Sequence, residues 1–252
     1  MRTARFVANG RIHGGTVIED RVVDEAGRSY PQSEVVWLPP VTPTKVVGLV
    51  LNYADHAKEL GLETPTDPVL FFKPLTSLIG HGATIIRPAG AQQMHYEVEL
   101  GVVISRRCRK VKAADAFSVI RGYTVGNDVT ARDYITNYYR PPVKAKGYDT
   151  FGPLGPWVVE DEDIDPDNVE LRAYVNGELR QQGHTSNLIH KVAPLIEYIS
   201  EFMTLEQDDV ILTGTPEGIS YVQPGDVLKV EAVGIGALEN PVSAEEDLMT
   251  ER

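Results

Sequence analysis

The segment His95-Tyr-Glu-Val-Glu-Leu-Gly-Val-Val-Ile104 carries the first candidate chemistry in this chain. With the two-residue period of a strand, Glu97 and Glu99 project to one face, while Tyr96, Val98 and Leu100 take the other. Two adjacent carboxylates repel, and burying them is costly unless a cation, a proton or an arginine neutralises them. Mg²⁺ or Mn²⁺ would meet that need, because such ions accept oxygen ligands and keep positions open for water and substrate. Asp128, in Gly126-Asn-Asp-Val-Thr-Ala-Arg-Asp133, is the candidate third carboxylate. Glu-x-Glu alone is more often a solvated strand face. A second pair, His56 and Glu59, stands at i and i+3 in Asn52-Tyr-Ala-Asp-His-Ala-Lys-Glu-Leu60. On a helical turn the carboxylate can hold the imidazole in one tautomer, giving a general-base dyad; the alternative is an incidental surface pair.

Positioning these groups takes a sizeable core, and 252 residues with 42% hydrophobic content can form one. Residues 1–42 read as a small β-rich unit. Its strands are expected over Thr3 to Ala8 and Thr16 to Val23, with turns around Gly14 and Gly27 and punctuation at Pro39-Pro40. The remainder, 43–252, is predicted to be mostly β, with strands over Val46 to Leu51, Val69 to Phe72, Ala83 to Ile86, Glu97 to Ile104 and Tyr123 to Asn127. Further strands follow at Val210 to Leu212 and Val227 to Val233. Leu188, Val192, Leu195, Ile196 and Ile199 recur at helical spacing and predict one clear helix, Asn187 to Phe202, with Asn187 as its N-cap.

Composition excludes some functions. Lys plus Arg number 24 against 36 Asp plus Glu, and a net charge of −12 argues against a general nucleic-acid or anionic-membrane binder. The single cysteine, Cys108, cannot make an intramolecular disulfide or a thiolate cluster and reads as a small packed residue. No apolar leader and no run of roughly 18 apolar residues is present, so neither secretion nor membrane insertion is expected, and the expected location is cytoplasmic.

Several blocks together resemble the fumarylacetoacetate hydrolase family: Gly48 to Glu59, Phe72-Lys-Pro74, Tyr96 to Val103, Gly126 to Asp133, Lys146, Gly155-Pro-Trp157 and Leu212 to Gly218. They occur in family order. The resemblance implies an α+β, mostly β fold, a mixed β-roll catalytic domain like the C-terminal domain of that family, in a homodimer. It also implies Mg²⁺ or Mn²⁺ held at Glu97, Glu99 and Asp128, and a small 2-oxo acid substrate. Arg132 and Lys146 match basic residues around metal and substrate, Thr215 matches a contact to the substrate carboxylate, and His56 and Glu59 match a lid dyad that activates water in hydrolytic members. Each has a plainer reading: Arg132 as a structural ion pair, Thr213-Gly-Thr-Pro216 as turn chemistry. Lys146 would either orient a distal carboxylate or shuttle a proton.

Within that family, Asn137 to Pro142 and Lys144 to Thr150 are similar to the subgroup acting in homoprotocatechuate (4-hydroxyphenylacetate) breakdown. Tyr138 and Arg140 are candidates for a basic rim that takes a second substrate carboxylate, against ordinary loop packing. The expected reaction is metal-dependent decarboxylation and isomerisation of 2-oxo or 2-hydroxy-diene dicarboxylates and tricarboxylates, through a metal-stabilised enolate. Ile135 stands where many hydrolytic members have Gln, which favours this over the alternatives of an acylpyruvate or fumarylacetoacetate-type hydrolase. An oxaloacetate decarboxylase and a metabolite-binding homologue without turnover also remain open.

Overall fold

The computed structural model describes residues 1–135 and 141–249. In chain order the N-terminal strands are β1 (Arg2–Ala8), β2 (Arg11–Ile18), β3 (Arg21–Asp24), β4 (Ser29–Pro31) and β5 (Val36–Trp37). Then come β6 (Val46–Val50), helix α1 (Ala54–Glu59), β7 (Val69–Lys73), β8 (Leu78–Ile79), β9 (Ile85–Arg87) and β10 (Met94–His95). The centre of the chain forms β11 (Val98–Ile104), β12 (Ile120–Asn127), β13 (Thr130–Ala131), α2 (Val143–Lys146) and β14 (Gly152–Val159). The last part forms β15 (Glu170–Val175), β16 (Glu178–His184), α3 (Val192–Phe202), β17 (Val210–Leu212), β18 (Tyr221–Val222), β19 (Val227–Ala232), β20 (Gly236–Ala244) and α4 (Glu245–Met249).

These strands make three sheets, giving the mostly β, α+β architecture that the sequence predicts. The largest runs β4-β3-β2-β1-β14-β12-β11-β17-β6-β7, with β5 beside β1 and β8 beside β14. A five-stranded sheet runs β16-β15-β19-β20-β9, and a short one runs β13-β10-β18. The N-terminal strands join the large sheet through the antiparallel pairing of β1 with β14. Most pairs are antiparallel; β17 with β6, β8 with β14 and β9 with β20 are parallel.

The core explains why β11 reads as an almost unbroken apolar run. Its seven residues are all buried, because β12 and β17 flank it and the five-stranded sheet and α3 cover its apolar side. Leu100, Val125, Leu171, Val230, Leu238 and Ile196 meet in one cluster. A strand enclosed on both faces loses the alternation of a half-exposed one. Burying one such large apolar side chain contributes about 1.5–3 kcal/mol.

Three boundaries differ from expectation, each for a local reason. The run expected as one strand from Thr16 to Val23 is a hairpin, since Glu19 turns the chain with φ 51° between β2 and β3. The turn expected at Gly14 is absent; Gly14 lies inside β2. Its neighbour Gly15 instead lets β3 approach, because a Cβ there would meet the Val23 carbonyl oxygen at 2.3 Å. Helix α3 starts at Val192 rather than Asn187, which sits in a 3-10 turn (Thr185–Asn187). Residues before it are held extended by Asn52: its carbonyl accepts the Ile189 N–H at 2.9 Å, and its side chain bonds the His190 backbone at both N–H and carbonyl.

Candidate metal and active site

Glu97 lies one residue before β11 and Glu99 within it; Asp128 follows the end of β12. The hairpin between these two strands brings them together, with Val98 opposite Asn127 and Glu99 opposite Gly126. The junction is fixed by backbone: the Asp128 N–H donates to the Glu97 carbonyl at 2.9 Å, and the Glu97 N–H donates to the Asn127 side chain at 3.0 Å. One carboxylate oxygen from each of Glu97, Glu99 and Asp128 lies within 4.8 Å of the others, and all three residues are buried.

Among the described residues three cations surround this triad, and they are distributed unevenly. The Lys146 ammonium, carried by α2, contacts Asp128, donates to Glu97 at 2.9 Å and donates to the Thr130 hydroxyl at 2.8 Å. Arg132 contacts Glu97 from the other side. Lys73, at the end of β7, contacts Asp128 and donates to the Lys146 carbonyl at 2.8 Å. Glu99 contacts none of them. Its Oε2 accepts the Gly214 N–H at 2.8 Å, and its Oε1 is buried with no hydrogen-bond partner among the described residues.

The electrostatics follow this distribution. Burial would raise the Glu97 pKa, but Lys146 and Arg132 outweigh it and bring it down to about 2. Burial, then the charges of Asp128 and Glu97, push Glu99 well above the carboxylate range. Burial lowers Lys73. Burial also opposes the charge on Lys146, but Asp128 and Glu97 outweigh it and raise its pKa.

A buried acid with an unused oxygen, facing two ionised neighbours, lacks a positive partner. The donor set is all carboxylate oxygen, which suits a hard divalent ion such as Mg²⁺ or Mn²⁺. These residues therefore fit the metal that the sequence suggested.

The remaining predicted residues line the same region. His56 is buried on α1, and its Nδ1 lies 2.8 Å from Glu59 Oε2. Glu59 also accepts the Gly218 N–H at 3.0 Å through Oε1, so α1 rests on the 213–218 loop. Asn52, just before α1, ties that helix to the same loop by donating to the Thr213 carbonyl at 2.8 Å. Thr215 is buried next to Gly214, which has φ +95° and whose Cβ, if present, would lie 2.9 Å from that of Asn52. Glycine is required there by both conformation and space. Tyr138 and Arg140 lie outside the described residues.

Sequence reasoning did not single out Lys73, Thr130, His95 or Gln181. Lys73 had a usable signal, because it shares the inward face of β7 with Phe71, and a lysine in a core-facing register needs a carboxylate. His95 and Gln181 carried none. The His95 ring packs edge-on against Tyr221 with centroids 4.5 Å apart, and neither ring nitrogen has a partner among the described residues. Burial, then Arg132, lowers its pKa to about 4, so it is neutral at pH 7.

Comparison with known proteins identifies the family. The profile of the fumarylacetoacetate (FAA) hydrolase C-terminal family matches residues 45–243. The chain belongs to that family. It is 44% identical over 234 residues to a 4-hydroxyphenylacetate degradation bifunctional isomerase/decarboxylase of Salmonella dublin, across 92% of this chain and 54% of that protein. The chain thus spans about half the length of that relative. Among solved structures, a 5-carboxymethyl-2-hydroxymuconate delta-isomerase from Mycobacterium smegmatis is 44% identical with a TM-score of 0.88, over 97% of this chain and 99% of that one. A 2-hydroxyhepta-2,4-diene-1,7-dioate isomerase from Mycobacterium marinum is 38% identical with a TM-score of 0.88, over the same shares. Among the described residues no helix is long and apolar enough to cross a membrane.

Proposed function

We propose that this protein is a divalent-metal-dependent decarboxylase/isomerase of homoprotocatechuate (4-hydroxyphenylacetate) catabolism, acting on 2-oxo or 2-hydroxy-diene dicarboxylates and tricarboxylates. The observation that carries this reading is Glu99, a buried carboxylate with one oxygen unused inside an otherwise compensated cluster. The names of relatives that share at least 38% identity with this chain support the reaction class and pathway.

Charge supports the substrate class. Among the described residues Lys73, Lys146 and Arg132 equal Glu97, Glu99 and Asp128 in number, although Glu99 contacts none of them. A divalent ion added to this balanced set leaves two positive charges, which suits an oxygen-rich dianion. Glu97, Glu99 and Asp128 would hold Mg²⁺ or Mn²⁺, which when bound acts as a Lewis acid at the 2-oxo group.

The chain's own residues divide the other tasks. Lys146 contacts both Glu97 and Asp128, which supports a role orienting these acids and a substrate anion. Arg132 contributes a planar fork that can bind a carboxylate. His56, steadied by Glu59, moves a proton at the substrate carbon skeleton while α1 excludes water. Thr215 donates to a substrate carboxylate, and Tyr138 and Arg140 extend the rim towards a distal one. A homodimer in the cytoplasm completes the reading.

The same His56–Glu59 pair, at 2.8 Å, also suits activation of a water for C–C hydrolysis, so the deciding assay includes a hydrolase control. Metal-stripped protein, with Mg²⁺ or Mn²⁺ restored, is given 5-oxopent-3-ene-1,2,5-tricarboxylate or acetylpyruvate while CO2 and ultraviolet absorbance are followed. Metal-dependent CO2 release is the expected result. Cleavage of acetylpyruvate alone would move the protein to the hydrolases, and inactivity on both would favour a metabolite-binding role.

A further inference from the structure

Gln181 is the only fully buried residue of β16, and its amide joins two parts of the site. Its Oε1 accepts the N–H of Val98, the residue between Glu97 and Glu99, at 3.3 Å. Its Nε2 donates to the Pro216 carbonyl at 2.7 Å and to the Thr215 hydroxyl oxygen at 2.8 Å. The orientation of this amide is fixed by chemistry, since a backbone N–H only donates and a carbonyl only accepts.

One consequence concerns the polarity of Thr215. A hydroxyl has one proton and two lone pairs, and here one lone pair is taken by the Gln181 amide. The Thr215 proton has no acceptor among the described residues. Thr215 is 3% exposed and follows Gly214, whose N–H reaches Glu99. A buried hydroxyl with a spare proton beside the acidic triad is poised to donate to whatever anion enters.

We propose that Gln181 is a positioning residue that fixes Thr215 as a hydrogen-bond donor to an anionic substrate oxygen, an inference that rests on reading this cluster as a metal and 2-oxo acid site. The device selects a carboxylate over a group that itself presents a proton. Such a group would meet the Thr215 hydroxyl donor to donor. Through Val98 the same amide ties the Thr215 loop to the backbone that carries both glutamates.

The experiment uses Mn²⁺-loaded full-length protein and calorimetric titration with oxalate, a compact dianion, beside oxamate, in which an amide replaces one carboxylate. Thr215→Val is expected to weaken oxalate binding by about tenfold, the loss of one charge-assisted hydrogen bond, and Gln181→Met, which leaves the hydroxyl in place but free to turn, by about threefold. The double variant should be no more than about twofold weaker than Thr215→Val, because without the hydroxyl Gln181 has no donor left to orient. The preference for oxalate over oxamate should shrink in Gln181→Met, while affinity for Mn²⁺ alone stays within about twofold of wild type. A merely structural role would not change that preference.

Oxalate affinity unchanged in Gln181→Met, or losses that add in the double variant, would overturn the proposal. Should Gln181→Met fold poorly, Gln181→Glu keeps the acceptor for Val98 and diverts the Thr215 proton to itself; it must then show the same weakening. Failure of wild-type protein with Mn²⁺ to bind oxalate would instead sink the site reading, and the role of Gln181 with it.

Discussion

Two buried acidic sites in this molecule are built in opposite ways. Asp209, before β17, is fully buried and saturated by its own chain. It accepts the N–H groups of Thr44 and Lys45 at 3.0 Å each, the Thr44 hydroxyl at 2.8 Å and the Glu206 N–H at 2.7 Å, and it contacts the Lys45 ammonium. Glu99, equally buried, receives one backbone N–H and stands against two further carboxylates. The first arrangement is complete and ties the segment before β6 to the start of β17. The second is complete only with something added. Burial of an acid therefore says little about function; what sets Glu99 apart from Asp209 is a buried oxygen with no donor among the described residues.

Exchanging one acid at each site tests this contrast most severely. Glu99→Gln should reduce metal-dependent turnover by at least about 1000-fold, roughly 4 kcal/mol of transition-state stabilisation, and abolish Mn²⁺ binding in calorimetry. The metal-free variant should melt no lower than metal-free wild type, because a carboxylate that resists ionisation has been replaced by a neutral amide. Asp209→Ala should do the reverse. It strands the Lys45 ammonium and several N–H groups, so a loss of about 3–5 kcal/mol in unfolding free energy is expected, with metal affinity of the folded fraction unchanged. Full metal-dependent activity in Glu99→Gln would erase the distinction.

The sequence made one side of this contrast far more legible than the other. Glu97, Glu99 and Asp128 could be read because strand periodicity and short motifs place them, and the strands of the core follow from their apolar runs. Local pattern could not show which cation belongs to which acid. Lys73 reaches Asp128 across 55 residues and Lys146 across 18, and these pairings depend on strand order in the large sheet. The start of α3 was misplaced for the same reason: Asn52, 138 residues away from His190, overrides a favourable helical pattern. The hairpin at Glu19 lacked any glycine signal; Gly14 lies inside β2, and Gly15 serves strand approach instead of a turn.

A smaller effect is expected at the lid, where the acid is neither saturated nor stranded. Glu59 shares its two oxygens between His56 and the Gly218 N–H, so under the proposed function it would link proton transfer to closure of α1. His56→Gln should lower kcat by about 100-fold, within the range typical of lost general acid–base catalysis, while Mn²⁺ affinity stays at its wild-type value. Glu59→Gln retains a hydrogen-bonding side chain and should cost less. Equal loss of metal binding in both variants would show that the lid belongs to the metal site itself.

The smallest effect, and the most direct reading of the two acids, lies in the pH dependence of stability without metal. Glu99 ionises near 4.5 when unfolded and at a higher pH when folded and metal-free. Above the unfolded value the unfolded chain releases this proton while the folded chain keeps it, so this group's contribution to stability falls as pH rises towards the folded pKa. Glu97, depressed to about 2, has the opposite sign: its contribution is present above about 4.5 and is lost as pH falls towards 2. Thermal melts of metal-free protein above pH 4.5 should thus carry a declining component that Glu99→Gln removes. Saturating Mn²⁺ should reverse it, because an ion that takes the ionised carboxylate binds more tightly as that proton leaves. A decline that persists unchanged in Glu99→Gln would assign it to another group and leave the unused oxygen of Glu99 without a measurable cost.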